Sequence, residues 1–80
     1  MFYEPFKTVE EVEPFFGHSI YRDGKKMTII GARIDNEVLF IQAVNEDGIE
    51  ISSSSLVWFY FAKFMGHQFG RKMEMDENDF

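Results

Sequence analysis

From residue 18 onward, apolar positions recur at strand spacing, and clusters of turn-forming residues interrupt them at short intervals. Residues 18–22 read as a short strand, and Asp23-Gly24 after it is a hairpin signal. Residues 25–34 read as a second strand, in which Met27, Ile29 and Gly31 alternate with Thr28, Ile30 and Ala32. A glycine inside a strand marks a bulge or a close neighbour, so Gly31 predicts an irregularity there. Asp35-Asn36 is a second turn. Residues 37–44 are apolar on both faces, with Val38, Phe40 and Val44 on one and Leu39, Ile41 and Ala43 on the other. That pattern predicts a central strand covered on both sides. Asn45-Glu46-Asp47-Gly48 is a third turn, and residues 49–52 form a fourth, amphipathic strand.

The flanks carry helical signals. Residues 1–7 are aromatic but irregular around Pro5. Thr8-Val9-Glu10-Glu11 has the spacing of a capping box, which starts a helix over residues 8–13 that Pro14 ends. Phe15-Phe16-Gly17 plugs the entry to the first strand. At the other end, residues 56–65 run Leu-Val-Trp-Phe-Tyr-Phe-Ala-Lys-Phe-Met with one charge, Lys63. At helical spacing Leu56, Phe59 and Tyr60 share one face, Val57, Phe61 and Phe64 a second, and Trp58, Ala62, Met65 and Phe69 a third. Trp, Phe, Tyr and Val also favour strands, so the ends of the segment decide between the two. Ser52 to Ser55 supply N-cap oxygens, Gly66 stands where a C-cap would, and His67, Arg71 and Lys72 suit a helix C-terminus. The segment therefore reads as a helix.

The expected fold class is α+β: a short N-terminal helix, a four-stranded antiparallel meander, a C-terminal aromatic-rich helix and an acidic tail. The twist of the meander can curl it toward an SH3-like small barrel, a comparison of architecture only. Residues 1–70 form a single small domain in this reading, and residues 71–80 a flexible acidic tail.

Composition narrows the chemistry. The 80 residues are 45% hydrophobic, include no cysteine and carry a net charge of −6. One domain with a real core follows, without disulfides or thiolate chemistry. Negative charge disfavours binding to phosphate backbones and favours a basic protein as partner. No signal-peptide pattern opens the chain, and the aromatic run is too short to span a bilayer. With a plain Met1 start, the expectation is a complete, soluble cytoplasmic protein.

Catalytic constellations are not legible. His18 and His67 show no metal-ligand spacing, so no metal is expected. Ser52 to Ser55 lack a nucleophile motif, and capping accounts for them. The carboxylates gather in turns and termini, and no phosphate-binding glycine loop is present. The chain reads as a non-enzyme without a cofactor.

Three functions fit this description. The first is a protein–protein interaction module, a small acidic regulator or inhibitor that binds a basic, nucleic-acid-binding protein as a nucleic-acid mimic. Its expected partner-binding residues are Leu56, Phe59, Tyr60 and Lys63, taken as the outward helix face, with Glu74, Asp76, Glu77, Asp79 and Phe80 of the tail. The second is a small-barrel binder of single-stranded nucleic acid that uses the hairpin from Tyr21 to Arg33. The third is a structural homodimer in which the aromatic helix pairs with itself.

Overall fold

Tight turns set the register of the chain. The computed structural model describes residues 2–73. Asp23 and Gly24 both hold positive φ, at 54° and 78°, as a type I′ turn requires. They join β2 (Ser19–Arg22) to β3 (Lys25–Asp35). Asn36 and Glu37, at φ 53° and 66°, join β3 to β4 (Val38–Asn45) in the same way. The turn into β5 (Glu50–Ser54) is tied by the Asn45 carboxamide, whose oxygen accepts from the amides of Asp47 and Ile49, both at 2.9 Å.

The sheet then continues past the expected meander. The chain forms α2 (Ser55–Phe61) and crosses from β5 to the far side of β2, where β6 (Ala62–Phe64) pairs with β2. A final hairpin strand, β7 (His67–Gln68), pairs with β6. The result is a six-stranded antiparallel sheet in the order β5-β4-β3-β2-β6-β7. Strands make up 54% of the described residues and helical turns 19%. The α+β class with a four-stranded meander and a C-terminal helix is therefore overturned. No closed barrel forms either, because β5 and β7 remain as separate edges among the described residues.

The local cause lies at residues 61–66. α2 stops at Phe61 after 7 residues, and Ala62 is already extended at φ −113°, ψ 148°. Met65 and Gly66 are not a helix C-cap. With φ of 52° and 87° they form a two-residue hairpin turn that places Phe64 opposite His67. The strand reading of the aromatic run thus holds for its last third. The N-cap lies one residue before α2, at Ser54, whose hydroxyl accepts from the Val57 amide at 3.3 Å.

One face of the sheet makes the core. Ile20, Met27, Ile29, Leu39, Ile41, Ala43 and Ala62 are buried on it, and Trp58 closes over them. Trp58 is fully buried, and its indole N–H donates to the Ile41 carbonyl at 2.8 Å. The Arg22 guanidinium lies 4.9 Å over the Trp58 ring and donates to the Ser53 hydroxyl. β4 is second from an edge and not central. Its other face, with Phe40, Gln42 and Val44, is only half-buried, so the expectation of cover on both sides fails. The ladder between β3 and β4 shifts between Ile29 and Gly31, a bulge where Gly31 was expected to mark one. A Cβ at Gly31 would sit 2.7 Å from the Gln42 carboxamide.

The N-terminus closes one end. β1 (Phe2–Glu4) pairs with β8 (Arg71–Met73) in a second, two-stranded sheet. α1 (Val9–Val12) starts from the expected capping box, and a 3₁₀ turn over Glu13–Phe15 follows it. Phe6 is buried, and its carbonyl accepts from the Ser55 hydroxyl at 2.6 Å, which ties this segment to the start of α2.

Candidate functional site

α2 has two unlike sides. Ser55, Trp58 and Phe59 are buried. Leu56, Tyr60 and Phe61 are 53%, 62% and 55% exposed, and Val57 between them is half-buried. Positions i, i+1, i+4 and i+5 of a helix share one side, so these four side chains form a continuous apolar stripe without a charge. Single exposed apolar residues are ordinary, whereas a contiguous stripe of them makes this side of α2 a candidate surface.

The structure splits the expected outward face. Leu56 and Tyr60 lie on the stripe, whereas Phe59 is 8% exposed and turns inward toward Gly70. Lys63 is exposed but belongs to β6, opposite Tyr21 of β2. Its side chain shares Tyr21's face of the sheet, the reverse of the face α2 covers. Glu74, Asp76, Glu77, Asp79 and Phe80 lie outside the described residues. Sequence reasoning missed Phe61, which it had placed with Val57 and Phe64 on a second face. The helix end decides the matter: once Ala62 leaves helical geometry, Phe64 no longer follows Phe61 on any face.

The open sheet face is a second surface. In-register pairing lines up Lys26, Tyr21, Lys63 and Gln68 across four neighbouring strands. Farther along, Arg33 is opposite Phe40, with its guanidinium 5.1 Å over the ring and 3.3 Å from the Asp35 carboxylate. Cations and aromatics thus meet on this face, while Glu10, Glu11 and Glu13 lie on the N-terminal helical turns.

A third feature is an apolar cleft of about 370 Å³ lined by Tyr3, Phe6, Phe15, Phe64 and His67. The Tyr3 and His67 rings stack in it at 4.3 Å. His18 and His67 both approach Phe64, at 6.1 and 5.9 Å between ring centroids. At its rim the Arg71 guanidinium binds Glu11 at 2.9 Å and Glu4 at 3.2 Å. Burial pushes the Glu11 carboxyl upward, but the amides of Lys7 and Thr8 and the charge of Arg71 outweigh it, so the net shift is downward. These bonds fasten the N-terminus to β8, and they leave this carboxylate bound on all sides. Among the described residues, no group of three or more His, Asp or Glu side chains is placed to hold a metal ion, and no helix is long and apolar enough to cross a membrane.

No family model, no curated protein and no solved structure matches this chain.

Proposed function

We propose that this protein is a non-enzymatic interaction module, a small acidic regulator that binds a basic protein partner through α2. The apolar stripe of exposed Leu56, Tyr60 and Phe61 around half-buried Val57 is the observation that carries this reading. Tyrosine and phenylalanine on a short rigid helix are suited to anchoring in an apolar groove, because their contact area is large and little rotamer freedom is lost. The net charge of −6 steers such a chain toward a basic surface, and the effect on association falls with salt. A partner that normally binds nucleic acid meets both conditions, and occupancy of its basic site would make this chain an inhibitor.

The test is affinity capture with wild type and with a Tyr60→Ala/Phe61→Ala double variant, after circular dichroism has established equal folding. A specific basic protein retained by the wild type and lost from the double variant supports the reading. Equal retention by both, or no binding protein, overturns it.

A second reading rests on the row of Lys26, Tyr21, Lys63 and Gln68. A tyrosine between two lysines on an open sheet is a stacking position for a single-stranded nucleic acid. Binding to labelled oligonucleotides that weakens with salt and disappears in Tyr21→Ala favours it. Absence of binding at micromolar protein removes it.

A further inference from the structure

The two edges of the main sheet differ in how they are protected. β7 is only 2 residues long and follows a tight turn, so it offers almost no ladder to another chain. β5 is 5 residues long and lies along a straight ladder with β4. It contains no proline, no lysine and no bulge, the usual devices that protect an edge. Glu50 is its one charged residue.

The direction of its free hydrogen-bonding groups follows from the turn. Asn45 N–H donates to the Ile49 carbonyl at 2.9 Å, which makes Asn45 and Ile49 a hydrogen-bonded pair. Hydrogen-bonded and non-hydrogen-bonded pairs alternate along an antiparallel ladder. Ile51 and Ser53 therefore bond to Ala43 and Ile41, their partners in register. The N–H and C=O groups of Glu50 and Ser52 and the N–H of Ser54 face away from β4, and no described strand pairs with them; the Ser54 carbonyl serves the first turn of α2.

We infer that β5 is a self-association edge and that its occupant is β5 of a second copy of this chain, antiparallel about a two-fold axis at Ser52. This inference does not depend on the partner proposed for α2. In that register the outward-facing residues meet one another. Ser52 faces Ser52, and Glu50 faces Ser54 on each side of the axis. The only charged residue of the strand is opposite a hydroxyl and never opposite its own copy, so the pairing has no like-charge penalty. A two-fold interface closes on itself, so it gives a dimer and not a fibre.

The axis residue supplies a direct test. Only Ser52 meets its own copy, so Ser52→Lys and Ser52→Asp each place like charges directly across the axis, whereas a mixture of the two variants places opposite ones. Sedimentation velocity on the full chain over a hundredfold concentration range is expected to show wild type passing from monomer to dimer. Each charged variant alone stays a monomer, and the equal mixture recovers the dimer. Ser52→Pro also abolishes association while circular dichroism stays unchanged, because the lost N–H has no bond within the chain and edge proline is tolerated there. Wild type that is monomeric throughout overturns the inference. So does a dimer that survives Ser52→Pro in a folded protein, or charged variants whose mixture fails to associate while wild type does. The α2 double variant Tyr60→Ala/Phe61→Ala keeps the dimer, which separates this result from the fate of the partner proposal.

Discussion

Residues 18–54 and residues 55–68 build one sheet by different rules. In the first region each strand follows its neighbour through a tight turn, and the polar punctuation lies where the chain reverses: Asp23-Gly24, Asn36-Glu37 and Asn45 to Gly48. In the second, the chain leaves edge strand β5, crosses the core face as α2, and re-enters the sheet at β2 from the opposite side. The first region is held by nearest-neighbour pairing. The second is held by what its side chains meet across the core, so its conformation depends on partners that are distant in the sequence. Asp23-Gly24 and Met65-Gly66 illustrate the point. Their backbones are nearly the same, with φ of 54° and 78° against 52° and 87°. One has a turn-forming residue before glycine, and the other has methionine.

The largest effect expected from this difference is at Trp58. Its ring is fully buried, with Arg22 over it and Ile41 accepting its N–H. Trp58→Ala should cost about 3–5 kcal/mol, which is comparable to the whole stability of a small domain. Urea denaturation should show an unfolded or nearly unfolded chain. A loss under about 1 kcal/mol would mean that α2 does not fasten the second region to the first.

The next effect is at the N-terminal clasp. Glu11 closes the capping box and binds Arg71 of β8. Its carboxyl titrates below the ordinary 4.5, so it stabilises the fold fully above that pH, and the contribution is lost as pH falls through the lowered value. Glu11→Gln keeps a side-chain oxygen for the amides but loses the charge. It should cost about 1 kcal/mol at pH 7. The gap between wild type and variant should narrow as the pH falls below the ordinary carboxylate range and through the lowered value. A gap that stays constant with pH would rule out the charge as the cause.

A smaller and opposite effect is expected at Met65→Asn. Methionine in the left-handed region is strained, whereas asparagine tolerates it and Asn-Gly is the favoured type I′ pair. The variant should be more stable by roughly 0.5 kcal/mol in urea titrations. A helix continuing through residue 65 would respond the other way, because asparagine is the poorer helix former.

These cases mark how far the sequence could be read. Strand alternation, the turns after β2 and β4, the capping box and the irregularity at Gly31 are local events, and local pattern reports them. The end of α2 is not local. Phe61 and Phe64 are equally apolar, and no residue between them forbids helix. What ends it is pairing: Ala62 fits opposite Arg22 over the core, and Lys63 meets Tyr21 on the far face. Gly66 was ambiguous for a physical reason, since a helix C-cap and a type I′ turn both need positive φ there. The cover expected over both faces of β4 failed for another reason. An apolar strand face states an affinity, and among the described residues α2 covers one side only.

The smallest effect on stability should come from the side of α2 that faces outward. Tyr60 is 62% exposed, and its ring packs edge-on against Phe59, at 5.4 Å between centroids. Tyr60→Ala removes little buried area, so the change in unfolding free energy should be within about 0.5 kcal/mol. Leu56→Ala, at 53% exposure, should behave alike. The two substitutions lie one helical turn apart and together remove half of the exposed stripe. Residues that serve the fold lose stability when truncated, as is expected for Trp58. Residues that serve a partner lose binding when truncated and leave stability alone. A measured loss above about 1 kcal/mol for Tyr60→Ala would assign this side of α2 to the fold and withdraw the main support for a partner there. A neutral result in urea, together with lost capture of the basic partner, would place the function of the chain on this side of a helix only 7 residues long.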